Sequence, residues 1–405
     1  MSETPERCGR GSDAPRVVVV DDSPFMRRLI SDVLSDAGIS IVGTASDGAE
    51  AIDVVAEESP DVVTMDVEMP GMNGLEAVER IMAETPTPIL MLSAHTDAGA
   101  EVTFDALERG AVDFFAKPGG EVTTGVSREG ERLAKAVHSV ADADLEAAMR
   151  DGAAPDADGT ETAQRGDAAE PTTGSTGGSA ADATTGAGES AASGGASSAG
   201  GESTGSADDA DADAALDDPL TVVIGASTGG PNAVERVMAA LPAVDCRVII
   251  VQHMPEAFTE RFADRLDEAS AYDVREATDG ARIGAGEAVV ARGGSHTLVD
   301  SYRAGRLRIK LEEDDSRQVM PAVDVAMESA AETVDDPLVG VVLTGMGSDG
   351  ANGVRAVASA GGRTLVQSEE SCVIYGMPKR AVATGAVDEV HDLSGVADAI
   401  VGGAA

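Results

Sequence analysis

The chain has few aromatic residues, few lysines and a large deficit of positive charge. Aromatic residues make up 2% of its 405 positions, tryptophan is absent, and the net charge is −43. Lysine occurs only at Lys117, Lys135, Lys310 and Lys379. Such a polyanion repels nucleic acids and anionic membrane surfaces, so neither is expected as a general partner.

The acidic residues are spread over the whole chain and are not confined to one tail. Charge repulsion is screened beyond about 3 Å at 1 M salt. The composition is therefore typical of a protein that stays dissolved at very high salt concentration, and we predict a halophilic source. The simpler alternative is an acidic protein of ordinary cytosol.

Cysteine is scarce, and its positions exclude two kinds of site. Cys8, Cys246 and Cys372 lie far apart, without a CxxC pattern or a Cys/His cluster, which argues against a disulfide framework and a zinc site. The segment Met1–Pro15 lacks an apolar signal core, and no apolar run reaches the roughly 18 residues that span a bilayer. We expect a cytoplasmic protein without membrane insertion.

The first third of the chain alternates apolar runs with helical patterns. Predicted buried strands at 16–20, 41–45, 62–65, 89–92 and 112–115 are separated by predicted helices, the first of which begins at Pro24. Five βα units of this length predict a doubly wound, flavodoxin-like parallel sheet over residues 15–138.

The middle of the chain has the composition of a linker. Residues 139–218 become rich in Ala, Gly, Ser, Thr, Asp and Glu, and no basic or aromatic residue occurs between Pro171 and Asp218. Such a segment buries too little apolar surface to offset its chain entropy. We predict a disordered acidic linker.

Residues 219–402 return to βα alternation. Apolar runs at 220–224, 247–251, 288–291, 339–343 and 363–367 predict strands, and 298–311 predicts a hairpin around Ala304-Gly305. The pattern predicts a second doubly wound parallel sheet, of the Rossmann-like kind, in an α/β domain.

Carboxylates end two of the predicted strands in the first domain. Asp21, Asp22 and Asp66 would meet at one edge of the sheet, where they repel one another unless a divalent cation lies among them. Mg²⁺ prefers such oxygen ligands, and the backbone carbonyl of Glu68 is a further candidate ligand. Asp66 is the candidate nucleophile that takes a phosphoryl group.

Two further residues of this domain fit the same chemistry. Lys117 supplies positive charge to phosphoryl oxygens, and Ser93 offers a hydroxyl to a new phosphate. The runs Val-Val-Val-Val-Asp21-Asp22-Ser-Pro-Phe-Met-Arg, Met-Asp66-Val-Glu-Met-Pro-Gly-Met-Asn-Gly-Leu, Leu-Ser93-Ala and Lys117-Pro118 resemble the receiver domain of response regulators. The resemblance implies phosphorylation of Asp66 with bound Mg²⁺.

A glycine-rich turn follows the first strand of the second domain. Gly225-x-Ser227-x-Gly229 has the form of a nucleophile elbow, in which the serine sits at a helix N-terminus that favours negative charge. Alone it is a weak signal, because a glycine-rich turn also cradles nucleotide phosphates. The cofactor interpretation would require an acidic residue about 20 positions on, where Val251-Gln252-His253 stands instead.

A serine nucleophile needs a base, and two histidines compete for that role. His253 ends a predicted buried strand, and His296 follows another in Gly-Gly-Ser-His. Asp349, in Gly-Met-Gly-Ser-Asp-Gly, is placed to orient an imidazole. The order Ser, His, Asp differs from the order of α/β hydrolases and disfavours an ordinary lipase or esterase of that fold.

These motifs together closely resemble the chemotaxis methylesterase family CheB. The matching segments are Gly-Ala-Ser227-Thr-Gly-Gly, Gln-His253-Met-Pro, Thr-Gly-Met346-Gly-Ser-Asp349-Gly, Gly294-x-His296, Pro321-x-Val-Asp324 and Ser371-Cys372-Val-Ile-Tyr-Gly-Met-Pro378. The resemblance implies a triad of Ser227, His253 and Asp349, with the Met346 backbone amide in the oxyanion hole. It gives His296 no catalytic role.

The resemblance also implies the reaction and the partners. The expected enzyme is a phosphorylation-regulated protein-glutamate methylesterase that hydrolyses γ-methyl esters on methyl-accepting chemoreceptors and also deamidates receptor glutamines. A CheA-type histidine kinase is the expected phosphodonor in this two-component system, and no cofactor is expected for the ester step. The alternatives are a signalling scaffold with an inactive second domain and a receiver fused to a different serine acyl hydrolase.

Two features depart from the family pattern. The linker is longer than is usual, and Arg317-Gln-Val-Met-Pro321 lacks the basic, His-containing form associated with that segment. The longer linker bears on how the receiver docks on the catalytic domain, and the altered segment bears on substrate contacts.

Overall fold

The computed structural model describes residues 14–93, 97–117, 126–145, 147, 219–314, 317 and 319–402. Most of the predicted linker lies outside these residues, as do Cys8 and Pro118. Within the described parts of the chain, no helix is long and apolar enough to cross a membrane.

The N-terminal domain is a five-stranded parallel sheet flanked by helices. The strands follow the order β2-β1-β3-β4-β5 and comprise β1 (Arg16–Val20), β2 (Ser40–Ala45), β3 (Val62–Asp66), β4 (Ile89–Ser93) and β5 (Asp113–Ala116). The helices are α1 (Pro24–Asp36), α2 (Gly48–Glu58), α3 (Gly74–Glu84), α4 (Asp97–Glu108) and α5 (Val126–Ala141). The doubly wound order predicted from the sequence is confirmed. The order reverses beside β1, and that is where such sheets open a crevice.

Local sequence explains where these elements begin. The side chain of Ser23 accepts a hydrogen bond from Met26 N–H before Pro24 opens α1, and Asp47 caps α2 in the same way. The strands β1, β3 and β4 are almost completely buried because helices cover both faces of the sheet. Burial on both faces explains why these strands consist of continuous apolar runs.

The C-terminal domain contains a larger parallel sheet and a small antiparallel one. The parallel sheet has the order β15-β14-β13-β6-β7-β10-β8, and the small sheet has the order β11-β12-β9. The strands are β6 (Leu220–Ala226), β7 (Cys246–Gln252), β8 (Asp273–Glu276), β9 (Arg282–Ile283), β10 (Glu287–Val290), β11 (His296–Arg303), β12 (Arg306–Glu312), β13 (Leu338–Val342), β14 (Arg363–Gln367) and β15 (Glu389–His391). The described helices are α6 (Gly230–Ala240), α7 (Glu256–Ala269), α8 (Val323–Thr333), α9 (Ala351–Ser359), α10 (Met377–Val382) and α11 (Leu393–Gly402).

The hairpin predicted around Ala304-Gly305 is present as β11 and β12. Ala304 and Gly305 both have positive φ, at 50° and 74°, which matches the twist of a tight hairpin. The short strands β8, β9 and β15 were not predicted, because their residues are few and partly polar.

The end of the first domain extends further than predicted. The helix α5 runs to Ala141, so the predicted start of the linker at residue 139 falls inside a helix. Beyond it, Asp144 N–H donates a hydrogen bond to Val373 O over 3.0 Å, and Ala147 is buried. The chain therefore packs on the second domain before it enters the undescribed segment.

Candidate functional site

The carboxylates of the first domain meet at the C-terminal ends of β1 and β3. Oxygen atoms of Asp21, Asp22 and Asp66 lie within 4.8 Å of one another. This donor set fits a hard divalent cation such as Mg²⁺, which takes carboxylate oxygens and water. Glu68 and Asp22 line an adjoining groove of about 470 Å³. The role of the Glu68 carbonyl as a ligand stays a prediction.

The positive charge predicted for this crevice lies among the carboxylates. Lys117 Nζ is 2.9 Å from Asp21 Oδ2 and 2.7 Å from Asp66 Oδ1. Burial raises the pKa of Asp66, and the hydrogen bond and charge of Lys117 offset this only in part. Burial acts to lower the pKa of Lys117, but its partners Asp66 and Asp21 outweigh it, so that pKa is raised. The lysine thus stays charged.

Ser93 lies at the same edge of the sheet. It is fully buried at the end of β4, and its carbonyl accepts a hydrogen bond from Lys117 N–H over 2.8 Å. Asp66 and Ser93 are the last residues of β3 and β4, and Lys117 directly follows β5, so the three lie at the ends of adjacent strands. The carboxylate of Asp66 and the ammonium group of Lys117 thus meet at this edge of the sheet, and the roles of Asp66, Ser93 and Lys117 in phosphoryl transfer stay predictions.

In the second domain, the serine and the histidine follow neighbouring strands. Ala226 of β6 pairs with Gln252 of β7, so Ser227 and His253 are the next residues on each side. His253 N–H donates a hydrogen bond to Ala226 O over 3.1 Å. Both side-chain positions are partly buried at the centre of the seven-stranded sheet.

The predicted partnership of His253 with Asp349 is present. His253 Nε2 lies 2.8 Å from Asp349 Oδ2. The same carboxylate accepts hydrogen bonds from Val323 N–H at 2.7 Å and Asp324 N–H at 3.0 Å. Burial acts to raise the pKa of Asp349, but the His253 contact and these backbone donors outweigh it, so that pKa lies below its usual range. The carboxylate is ionised at neutral pH, and Nε2 therefore carries the proton.

The serine is held mainly through its backbone. Ser227 N–H donates to Thr344 O over 3.0 Å, and Gln252 Nε2 donates to Ser227 O over 2.8 Å. Among the hydrogen bonds of the described residues, none joins the Ser227 hydroxyl to the His253 ring. The structure thus brings the predicted residues to one edge of the sheet but joins only His253 and Asp349 directly.

The loop after β13 passes very close to the serine. A Cβ atom at Gly345 would lie 2.7 Å from Ser227 Cβ, so only glycine allows this approach. Met346 follows immediately, with 40% of its surface exposed. Its N–H has no acceptor among the described residues, which is compatible with the oxyanion-hole role predicted for it.

His296 takes a different position from the catalytic candidates. It is 2% exposed, its Nδ1 accepts a hydrogen bond from Ala322 N–H at 3.1 Å, and its Nε2 lies 3.1 Å from Asp314 O. Both ring nitrogens therefore bind backbone groups. This histidine holds the segment that leads into α8.

The first domain contacts the second beside Ser227. Thr228 is 6% exposed, and its hydroxyl accepts a hydrogen bond from Ser139 of α5 over 3.2 Å. The carboxylate of Asp113, at the start of β5, also interacts with this hydroxyl. Burial raises the pKa of Asp113 to about 6. Asn232 Nδ2, in α6, donates to Leu107 O over 3.0 Å.

An aromatic cluster forms the apolar part of the same contact. Phe104 of α4 and Phe114 of β5 meet Phe258 and Phe262 of α7, with ring centroids 4.5–6.5 Å apart across the contact. The chain has six phenylalanines in all, so most of them lie here. Rings at such distances add to the stability that area burial alone supplies.

Two ion pairs border the aromatic cluster. Arg261 NH2 lies 3.0 Å from Glu101 Oε1, and Arg265 NH2 lies 2.5 Å from Glu108 Oε1. Arg265 also pairs with Glu235 of its own domain and lies over the Phe104 ring. The glutamates Glu101 and Glu108 are well exposed, so these pairs contribute little on their own.

Sequence reasoning did not assign roles to several residues that the structure places at the sites. Thr228 and Asp324 stand in quoted motifs, but nothing in their spacing shows that one contacts α5 and the other faces Asp349. Ser139 and Asp113 lie in a helix and a strand whose pattern indicates packing alone. Such contacts could be predicted only from resemblance to a protein in which both domains are present together.

Comparison with known proteins matches both halves of the chain. The CheB methylesterase family model matches residues 222–400, and the response regulator receiver domain model matches residues 17–124. The chain is similar to proteins named protein-glutamate methylesterase/protein-glutamine glutaminase. The one from Haloarcula marismortui is 53% identical over 96% of this chain and 98% of the relative, and the one from Halobacterium salinarum is 50% identical over 95% and 96%.

A solved structure also matches the second half. The crystal structure of the Thermotoga maritima CheB methylesterase catalytic domain is 35% identical in sequence. The match covers 45% of this chain and 97% of that chain, with a TM-score of 0.43.

Proposed function

This chain belongs to the family of CheB methylesterases with an N-terminal receiver domain, and we propose that its two sites act as one phosphorylation-controlled enzyme of chemotaxis. The enzyme is a protein-glutamate methylesterase and protein-glutamine glutaminase. The observation that carries the assignment of residues is the 2.8 Å contact between His253 and Asp349, beside Ser227.

The proposed ester step uses the triad Ser227, His253 and Asp349. Since Asp349 holds the proton of His253 on Nε2, Nδ1 is the basic nitrogen that takes the proton of the Ser227 hydroxyl. The serine oxygen attacks the γ-carbonyl of a methylated glutamate, and the imidazolium then gives its proton to the departing methanol. Water hydrolyses the acyl-enzyme by the same path in reverse and frees the glutamate.

The negative charge of the tetrahedral intermediate needs donors that are already in place. The Met346 N–H and the N-terminus of α6, which begins at Gly230, are the donors proposed here. Removal of one such donor typically lowers kcat by about 10²–10³ fold. With ammonia in place of methanol as the leaving group, the same atoms deamidate a glutamine.

The receiver supplies the control. Asp66 takes the phosphoryl group, Lys117 neutralises its charge, and Ser93 is placed to hydrogen-bond it. Bound Mg²⁺ would be held by Asp21, Asp22 and Asp66, and its charge would lower the electrostatic barrier to transfer. The family acts on chemoreceptors under a histidine kinase. For this chain we propose methyl-accepting receptors as substrate and a CheA-type kinase as phosphodonor, with both reactions in the cytoplasm.

The contact at Thr228 supports a specific form of control. A receiver that is hydrogen-bonded to the residue after the nucleophile restricts access to Ser227, and phosphorylation of Asp66 shifts the population towards an undocked state. The aromatic contacts between Phe104 and the second domain favour the docked state. Phosphorylation must overcome this preference.

The test is methanol release from methylated receptor membranes at molar salt. Wild type is compared with Ser227→Ala, each with and without a small phosphodonor and Mg²⁺. Release by wild type alone, increased by the phosphodonor, supports both parts of the proposal. Release without stimulation contradicts the control mechanism. No release under any condition contradicts the enzyme assignment and favours a scaffold with an inactive second domain.

A further inference from the structure

We propose that Asp324 is a positioning residue for the triad: its carboxylate holds the start of α9, and thereby fixes Asp349 against His253. The inference rests on the proposed function, since it concerns the residue that orients the catalytic imidazole. Asp324 lies in α8, far from Asp349 in sequence, and it makes no described contact with His253.

The N-termini of α8 and α9 are joined by reciprocal hydrogen bonds to two carboxylates. Asp349 precedes α9 and accepts hydrogen bonds from the first N–H groups of α8, those of Val323 and Asp324. In return, Asp324 Oδ1 accepts from the start of α9, at 2.9 Å from Gly350 N, 3.0 Å from Asn352 N and 2.8 Å from Gly353 N. Each helix therefore binds the acidic residue of the other.

The second oxygen of Asp324 is also occupied. Asn352 Nδ2 donates to Asp324 Oδ2 over 3.1 Å, and Arg317 NH1 lies 3.9 Å away. Asp324 is only 6% exposed. A buried carboxylate is tolerated where donors and a helix N-terminus compensate its charge, and both are present here.

The arrangement fixes Asp349 from two sides. Its carboxylate is bound to α8, while its backbone is continuous with Gly350, whose N–H is bound to Asp324. Movement of the α9 start would carry Asp349 with it and lengthen the 2.8 Å contact to His253. Partners that orient metal ligands in a comparable way typically affect activity by about 10–100 fold, and we expect the same range here.

The diagnostic variant is Asp324→Asn. It keeps one acceptor oxygen but places an NH₂ group against Asn352 Nδ2 and Arg317, so the contact becomes repulsive. We expect kcat to fall by about 10–100 fold with KM unchanged. We also expect the acid limb of kcat/KM to move to lower pH, because a displaced Asp349 stabilises the imidazolium of His253 less.

A rescue variant separates positioning from folding. In Asp324→Asn with Asn352→Asp, the donor and the acceptor exchange places across the same 3.1 Å contact. Asp is also well tolerated in the first turn of α9. We expect this double variant to recover most of kcat and the position of the acid limb. Asp300→Asn, which changes an exposed carboxylate on β11, is the matched control.

A second readout does not depend on activity. The chain has five histidines, so the titration of His253 can be followed by NMR in wild type and in Asp324→Asn. A lower midpoint in the variant supports the proposal. An unchanged midpoint, or a loss of thermal stability without a change in kcat, overturns it. Absence of wild-type activity would contradict the proposed function, and the NMR titration would still decide the role of Asp324.

A groove beside the same loop carries an independent inference. It has a volume of about 310 Å³ and is lined by residues that include Ser348, Asn352, Arg355 and Arg380. Ser348 lies between Met346 and Asp349 in the chain, so the groove adjoins the proposed active site. Arg355 and Arg380 are exposed.

These two arginines differ from most others in the described residues. Most described arginines lie within 4.0 Å of a carboxylate oxygen, as Arg265 and Arg363 do. Arg355 and Arg380 have no such partner within the part of the chain that the structure describes. Arg355 NH1 donates to the neutral amide oxygen of Asn352 over 2.6 Å, which leaves its charge uncompensated. In a chain with net charge −43, cations without a carboxylate partner next to an active site form a local site for anions.

From this charge pattern we infer that the groove binds carboxylate side chains that flank the esterified glutamate on the substrate. The product of each reaction is itself a carboxylate, so a partly demethylated substrate segment is acidic. An acidic enzyme repels such a segment unless local positive charge compensates. Arg355 and Arg380 supply that charge.

The test is a comparison of KM with kcat. The double variant Arg355→Gln with Arg380→Gln should raise KM for methylated receptors by up to about tenfold, with kcat unchanged. It should leave the turnover of a neutral peptide with one methyl glutamate unaffected. Arg303→Gln, at an exposed hairpin end, is the control. An unchanged KM, or an equal loss on both substrates, overturns the inference.

Discussion

Thr228, the residue after the proposed nucleophile, accepts a hydrogen bond from Ser139 of the other domain through its hydroxyl, which also interacts with Asp113. The receiver thus contacts the catalytic loop through a side-chain hydrogen bond as well as through the Phe104 cluster. An event in the receiver that moves α5 or β5 breaks contacts one residue away from Ser227. Since Lys117 directly follows β5, the phosphorylation site is connected to that movement.

Replacement of Ser139 by alanine should raise basal activity. It removes one buried hydrogen bond of the docked state, worth about 1 kcal/mol, so methanol release without phosphodonor should rise about fivefold. Release with phosphodonor should stay the same, because the undocked enzyme is unaltered. Ser31→Ala, in α1, is the matched control, since the Ser31 hydroxyl donates to Arg27 O of its own helix and no bond to the second domain is present among the described residues. Equal basal rates in the two variants would contradict the docking model.

Replacement of Asp113 by asparagine should lower basal activity at neutral pH. The pKa of this carboxyl is about 6, against an ordinary value of 3.8. If undocking exposes the carboxyl to water, its pKa returns towards 3.8, and the docked state then binds a proton more tightly than the undocked state. Docking is then strongest below about pH 4, weakens as the pH rises to about 6, and is constant above that. Asparagine stays neutral and keeps its acceptor for Thr228.

The measurement is the ratio of basal rates of wild type and Asp113→Asn from pH 4.5 to 8, which cancels the pH dependence of the ester step. The ratio should increase through pH 6 and then level off, as the direction of the Asp113 shift requires. A ratio that does not vary with pH would show that Asp113 does not titrate on undocking.

Replacement of Asp349 by asparagine should nearly abolish turnover. The amide cannot stabilise the imidazolium of His253 and favours the wrong tautomer, so kcat should fall by roughly 10³–10⁴ fold. KM should change little, because Asp349 is turned towards His253 and the N-terminus of α8. The assay is methanol release at saturating substrate, with Asp300→Asn as control. A loss of less than tenfold would remove Asp349 from the triad.

Replacement of Asp66 by asparagine should remove the response to a phosphodonor and leave basal release intact. Removal of divalent cations with a chelator should do the same to wild type, because the three carboxylates then repel the incoming phosphoryl group. Added Mg²⁺ should raise the thermal midpoint of wild type more than that of Asp66→Asn. A stimulated rate in the variant would show that another residue accepts the phosphoryl group.

Much of the fold could be predicted from the sequence, and the reason is burial. Strands such as β1 and β6 are covered on both faces, so they appear as unbroken apolar runs that end in Asp21 and Ser227. Because parallel strands place their carboxyl ends at one edge, the grouping of Asp21 with Asp66 follows from the strand order alone. The pairing of His253 with Asp349 came from the family resemblance.

The contacts between the domains could not be predicted in this way. Phe104 and Phe258 lie on helices that would show the same apolar pattern if each domain stood alone. Thr228 and Asp324 are single polar residues whose partners lie far along the chain, and spacing carries no information about such partners. The strand β8 was missed for another reason: its polar residues have only a weak local preference for strand structure, and the strand forms because it pairs with a neighbouring strand.

The aromatic contact has a consequence for the conditions in which the cell lives. At about 1 M salt, ion pairs such as Arg261 with Glu101 are screened within about 3 Å, whereas the burial of Phe104, Phe114, Phe258 and Phe262 is not. Added salt therefore weakens the ion pairs of the docked state but not its apolar contact. Cooling acts differently, because apolar burial weakens at low temperature. Release of the catalytic domain from the receiver should therefore become easier on cooling, even at a constant salt concentration.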